Sequence, residues 1–118
     1  MKSLIIKQVS DYVLEPDYLE IPKVAPDTAI LKVEACGLCG SDVEQYKGSF
    51  GFVTYPLIPG HEPVGTIFEI GEIAKTCWGV GKGDLVAIEP HISCGHCFSC
   101  KAGNYHLCKI ESKKIIWS

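Results

Sequence analysis

Four cysteines in the run Cys94-Gly-His-Cys97-Phe-Ser-Cys100-Lys-Ala-Gly-Asn-Tyr-His-Leu-Cys108 follow the spacing C-x2-C-x2-C-x7-C. Four thiolates so spaced can reach one tetrahedral ion, which is how closed structural sites hold zinc. Three other uses of cysteine compete with that reading. Disulfides need an oxidising compartment, and residues 1–30 carry no charged segment followed by an apolar one that would direct secretion. A redox C-x-x-C expects a strand leading into a helix, whereas these pairs lie among Gly, Ser, His and Asn. An iron–sulfur cluster also takes four thiolates, and spacing alone admits it; the usual bacterial run, however, continues into Cys-Pro, and Lys109 follows Cys108 here. Zinc is the expectation. His91, His96 and His106 could each replace a thiolate, but four cysteines already fill a tetrahedron, so these histidines are read as surface or supporting groups.

A second constellation lies upstream, where Cys36-Gly-Leu-Cys39-Gly-Ser41-Asp42 is followed by Pro59-Gly-His61-Glu62. A histidine after Pro-Gly is, taken singly, more often an ordinary strand-edge residue than a ligand. Beside Cys39, Asp42 and the four-cysteine lobe, the balance turns toward a metal. Cys36 is expected to be a small buried hydrophobe at a strand end, and Cys77, beside Trp78 in a turn region, has no partner that spacing suggests.

The elements that must position these groups are short strands and turns. Residues 3–9 are rich in β-formers, and 12–21 partly alternates until Pro22 interrupts it. Residues 28–36 alternate apolar and polar positions, the pattern of a strand with one buried face. Further strands are expected over 61–70 and 85–88. No segment has a long helical period; the best short helix is 41–46, with Ser41 or Asp42 able to cap it and Gly48 placed to stop it. The expected fold is mainly β, a barrel or sandwich with one helical turn and an appended zinc lobe over 90–110. The run Glu111–Ser118 matches no strand.

Composition excludes several functions. At 118 residues the chain is one domain, spanning 1–118, and no apolar run approaches the ~18 residues of a membrane span. The net charge is −3 and arginine is absent, which argues against a phosphate-neutralising nucleic-acid surface. The eleven lysines are scattered along the chain as solvated surface. Gly79-Val-Gly-Lys-Gly83 imitates half a dinucleotide fingerprint, but Asp84 stands where the third glycine would be, and a strand follows. No nucleotide-binding βαβ unit is visible.

The motifs Cys36-Gly-Leu-Cys-Gly-Ser-Asp42, Pro59-Gly-His-Glu-Pro-Val-Gly65 and Gly83-Asp-Leu-Val-Ala-Ile-Glu-Pro90, with the cysteine lobe, span residues 36–108. In that order and combination the chain resembles the N-terminal, GroES-like domain of the zinc-dependent medium-chain alcohol and polyol dehydrogenases. The resemblance implies a GroES-like, partly open β-barrel. It implies that Cys39 and His61 bind a catalytic zinc, while Cys94, Cys97, Cys100 and Cys108 hold a structural one. A catalytic zinc takes three protein ligands and leaves a fourth place open. By the same resemblance Asp42 orients His61 through the other ring nitrogen, and Glu62 influences exchange at the metal or ligates it. Ser41 accepts the proton of an alcohol whose acidity the metal raises, and hydride passes to a nicotinamide cofactor, NAD(P).

Glu44 departs from the family pattern, since many members carry histidine there as the outer end of a proton relay. Its other reading is a solvated residue on a short helix. Family members also continue past the position of Ser118 with a dinucleotide-binding domain and a third zinc ligand. The expectation for these 118 residues is therefore a cytoplasmic substrate-side domain acting on a small alcohol or carbonyl compound. It would hold one structural zinc firmly, with the catalytic site incomplete and no dehydrogenase activity of its own. Neither nucleic acid nor membrane is an expected partner, and a homo-oligomer is a possible assembly. The alternative is a stand-alone, zinc-stabilised binding module without catalysis. A co-chaperonin would explain the barrel but none of the cysteines.

Overall fold

The computed structural model describes residues 1–109. The run Glu111–Ser118 and the last residue of the expected lobe range lie outside the described residues. Strands β1 (Lys2–Ser10) and β2 (Val13–Glu20) form an antiparallel hairpin. A second antiparallel sheet has the order β3-β4-β5, from β3 (Ala29–Gly37), β4 (Glu62–Ile70) and β5 (Leu85–Ala87). Every strand falls within a residue or two of its expected run. Helices are short: α1 (Gly40–Tyr46), α2 (Glu72–Trp78), α3 (Phe98–Lys101) and a single 3-10 turn at Tyr105–Leu107.

The pattern of the strands explains their pairing. β4 is the middle strand of its sheet and supplies the buried Ile67, and its register with β3 shifts between Ile30 and Leu31, where Phe68 is the extra residue, and between Val33 and Ala35, where Glu34 is. Pro16 lies within β2, opposite Ile6. Two residues on, at the same parity of the strand, the Tyr18 N–H turns to Asp17 Oδ1 and not to β1, so the Pro16 nitrogen falls on the outer edge and costs no ladder bond. The hairpin is joined to the rest through Gln8, whose N–H donates to Leu57 O at 2.8 Å and whose carbonyl accepts the Leu57 N–H at 3.0 Å. Leu57, Ile67, Ala74 and Cys108 are the buried apolar residues among those described, whereas Leu4, Ile6, Leu14 and Val33 are exposed. The sheets are thus open, with apolar side chains reaching solvent.

Three local expectations are corrected. Residues 72–78 form helix α2, which places Cys77 on a helix rather than in a turn. Glu72 sits in its first turn, Gly79 closes it in the left-handed region at φ 66°, and the Ile73 and Ala74 N–H groups donate to Pro26 O. Only Ala74 of this helix is buried, so seven residues show no apolar period. Secondly, α1 begins at Gly40 with Cys39 as its N-cap, not Ser41 or Asp42; Asp42 instead reaches back, its Oδ2 accepting the Cys39 N–H at 2.8 Å. Thirdly, Cys36 is exposed rather than buried. The glycine-rich segment after α2 turns through an Asp84 Oδ2 contact with the Gly81 N–H (2.8 Å) and leads into β5, as expected.

Candidate metal centres

Antiparallel pairing brings the end of β3 beside the start of β4, with Gly37 opposite Glu62. Cys39 follows β3 by two residues and His61 immediately precedes β4. The Cys39 sulfur, a His61 ring nitrogen and a Glu62 carboxylate oxygen consequently lie within 4.8 Å of one another. Cys39 and His61 are half-buried, and Glu62 is exposed.

Asp42 stands behind this trio and is only 8% exposed. Its Oδ1 lies 3.3 Å from His61 Nδ1, while Oδ2 holds the Cys39 N–H. One buried carboxylate thus touches both segments that carry the donors. The position of Glu62 depends on its neighbour across the ladder: a Cβ on Gly37 would meet Glu62 Oε2 at 2.5 Å. Gly60, at φ 96°, makes the turn into His61 in a conformation that side chains avoid, and its missing Cβ leaves room for the Cys36 sulfur. Ser41 is half-buried in the first turn of α1. Glu44 is exposed and pairs with Lys47 Nζ at 3.5 Å. An apolar cleft of about 320 Å³ opens beside Asp42 and is bounded by Cys36, Leu38, Val43, Tyr46 and Pro59.

The lobe brings its four cysteines together. All four sulfurs lie within 4.8 Å of one another, and Cys94 Sγ is 3.9 Å from Cys100 Sγ. A tetrahedral zinc with Zn–S bonds of about 2.3 Å places its sulfurs about 3.8 Å apart. A four-iron cluster spreads its thiolates around a cube, and these sulfurs are too close for that. Backbone N–H groups turn toward the sulfurs: Cys97 and His96 donate to Cys94 Sγ at 3.3 and 3.5 Å, and Cys94 donates to Cys108 Sγ at 3.4 Å. The Cys100 N–H holds the Cys97 thiol below its ordinary pKa, whereas burial pushes Cys100 up to about 11. Metal uptake at such a set displaces protons. His96 Nδ1 is 2.9 Å from Cys94 O, and His91, His96 and His106 are all exposed, so the four-sulfur set needs none of them. Tyr105 donates to Glu89 Oε2 at 2.7 Å, tying the lobe to the chain that follows β5.

Both donor sets suit zinc. The lobe offers four soft sulfurs for a closed tetrahedron. The upstream trio offers sulfur, nitrogen and oxygen, the three protein ligands of an open site, with a carboxylate already placed behind the imidazole. Gly37 and Gln8 escaped the sequence reading. Gly37 stands inside the Cys36–Asp42 motif, yet its role is visible only when the β3–β4 register is known.

Residues 25–116 match the family described as "Alcohol dehydrogenase GroES-like domain". A Mycobacterium tuberculosis protein named "Probable alcohol dehydrogenase adh" is 49% identical over 90 residues, covering 75% of this chain and 24% of its own length. The cobalt- and zinc-bound thermostable alcohol dehydrogenase of Pyrobaculum aerophilum superposes with a TM-score of 0.85 at 25% identity, over 99% of this chain and 35% of its own. A short chain alcohol dehydrogenase of Escherichia coli CFT073, complexed with NADH, gives 0.76 at 33% identity, over 92% and 31%. The chain spans about a quarter to a third of the length of these relatives.

Proposed function

Because the chain belongs to the alcohol dehydrogenase GroES-like domain family, we propose that it is the zinc-holding, substrate-side part of a zinc- and NAD(P)-dependent oxidoreductase. Such an enzyme interconverts a small alcohol or polyol with its carbonyl compound. The observation that carries this reading is the meeting of Cys39, His61 and Glu62 within 4.8 Å, with Asp42 against the imidazole.

Each residue has a role in this reading. Cys39, His61 and Glu62 hold the zinc, which when bound polarises the substrate oxygen as a Lewis acid. Asp42, whose Oδ1 stands 3.3 Å from His61 Nδ1, orients the imidazole and raises its basicity toward the metal. Ser41, in the first turn of α1, relays the hydroxyl proton, accepting it while passing its own proton on to solvent. Glu44 faces solvent beside Lys47 and serves at most as an outer proton acceptor. Cys94, Cys97, Cys100 and Cys108 hold the second zinc and stiffen a lobe whose only regular structure is one helical turn and one 3-10 turn among the described residues. Hydride transfer belongs to the nicotinamide, and no described segment has the βαβ form that binds one. No described helix is long and apolar enough to cross a membrane, and a cytoplasmic location is part of the proposal.

The exposed apolar residues Leu4, Ile6, Leu14 and Val33 favour a second reading, a zinc-stabilised module that binds another protein surface or a second copy of itself. Cobalt substitution separates the two. With cobalt in both sites, added imidazole shifts the spectrum of an open three-ligand site and leaves a closed four-thiolate site unchanged. A spectrum indifferent to imidazole supports the module and contradicts the catalytic reading.

A further inference from the structure

Gln8 lies in β1 and is fully buried, an unusual place for a polar side chain outside the donor sets. Its backbone forms the two-bond bridge to Leu57, in the segment that reaches His61 four residues later. Its side chain points the other way, into α1. Nε2 donates to Tyr46 O at 3.1 Å and to Ser10 O at 3.0 Å, which uses both of its hydrogens, and Oε1 accepts from Gln45 Nε2 at 2.5 Å. Gln45 is 1% exposed and follows Asp42 by three residues on the same helix. The last carbonyls of a helix lack partners within it, and that of Tyr46 accepts from the Tyr12 N–H at 2.8 Å and from Gln8 Nε2 as its second donor. Tyr55, on the loop between α1 and His61, lies 3.4 Å from Gln8 Nε2 and donates to Asp11 Oδ1 at 2.7 Å, so the same polar cluster also holds that loop.

The two segments that Gln8 joins are those that must meet at the metal. Helix α1 carries Asp42 and is capped by Cys39, and the segment beyond Leu57 delivers His61 and Glu62. At the site itself Asp42 Oδ1 meets His61 Nδ1 across the two segments at 3.3 Å. An apolar residue at position 8 would keep the strand bridge but lose both side-chain links to α1, leaving the helix held to the hairpin by Tyr12, whose N–H donates to Tyr46 O at 2.8 Å and whose carbonyl accepts from the Tyr46 hydroxyl at 3.0 Å. We propose that Gln8 is a positioning residue which sets the separation of the Cys39–Asp42 and His61–Glu62 segments, and hence the metal affinity of that site alone. The inference rests on reading that site as a metal centre.

The test is a chelator-competition titration of the 118-residue chain with cobalt and then zinc. The four-thiolate lobe, with its stronger thiolate-to-cobalt absorption, serves as reference within the same molecule. Gln8→Met is expected to weaken metal at the Cys39 site by about tenfold or more relative to the lobe, the range for lost support behind metal ligands. Ala74→Gly, which destabilises α2 at its one buried residue and away from the joint, is expected to leave that ratio unchanged. An unchanged ratio in Gln8→Met, or an equal fall in Ala74→Gly, overturns the inference. Should Gln8→Met lose the lobe metal through unfolding, Gln45→Met reads the same joint; a lowered ratio upholds the inference and an unchanged one overturns it. A parent chain that takes one metal only removes the reading of the site, and the inference with it, before any variant is compared.

Discussion

Gly37 and Glu62 face each other where β3 ends and β4 begins, and the space that glycine leaves is filled by the glutamate: a Cβ at position 37 would stand 2.5 Å from Glu62 Oε2 and 3.2 Å from its Cβ. The backbone ladder fixes this pair, so the third donor of the upstream trio owes its place to the absence of a side chain across the strand.

Gly37→Ala therefore pushes the Glu62 carboxylate aside without disturbing the ladder, since alanine suits an extended strand at least as well as glycine. The expected outcome is metal affinity at the Cys39 site lowered about tenfold, with the lobe unaffected. Competition titration against a chelator checks it, and parental affinity at both sites would show that Glu62 is not a ligand.

Asp42→Asn keeps an oxygen for the Cys39 N–H but removes the charge that faces His61 Nδ1. A carboxylate in that place raises the basicity of the imidazole, so the variant should bind zinc at this site about 10- to 100-fold more weakly. Calorimetric titration measures the change. Equal binding would mean that Asp42 serves only to cap α1.

Removal of a lobe ligand acts on a different part of the molecule. Cys100→Ser leaves three thiolates around a position built for four, and the short helices around them have little else to hold them. Structural zinc in small domains is worth about 10–16 kcal/mol in apparent binding energy. Amide exchange over 94–108 should become fast while the β3–β4 ladder stays protected. Slow exchange in the lobe of this variant would mean that the metal is dispensable there.

The hairpin carries a pH-dependent contact. Lys7 Nζ lies 2.7 Å from Asp17 Oδ2, and their hydrogen bond holds Asp17 below its ordinary value of 3.8 and Lys7 above 10.5. A depressed carboxylate stabilises the fold above its unfolded pKa and loses that contribution as pH falls through the folded value. A raised lysine contributes fully below 10.5 and loses its share as pH rises through the folded value. Asp17→Asn should accordingly melt below the parent at neutral pH and converge with it in strong acid. The pair is partly exposed, so the gap should be small and should shrink with salt. A gap independent of pH would assign the contact no electrostatic role.

The strands were legible because β-branched alternation and glycine-rich turns repeat at short intervals, and the lobe because four cysteines at close spacing constrain one another. Part of what escaped depends on register. Helix α2 buries only Ala74, which leaves no period to detect. The approach of Glu62 to the other donors follows from the pairing of β3 with β4, a distance of some twenty-five residues along the chain, whereas the cap at Cys39 is local, made by the Asp42 carboxylate three residues on. Sequence reading left Cys39 and His61 without a settled third donor. The structure supplies a candidate in the adjacent residue.

Zinc per chain, counted by atomic emission after exhaustive dialysis, tests the central claim most directly. Two separate donor sets, the four lobe sulfurs and the Cys39–His61–Glu62 trio, predict about two zinc ions per chain, with one lost in a Cys39→Ser variant. About one zinc in the parent, unchanged by Cys39→Ser, would contradict the account and leave a structural lobe beside an upstream site that holds no metal.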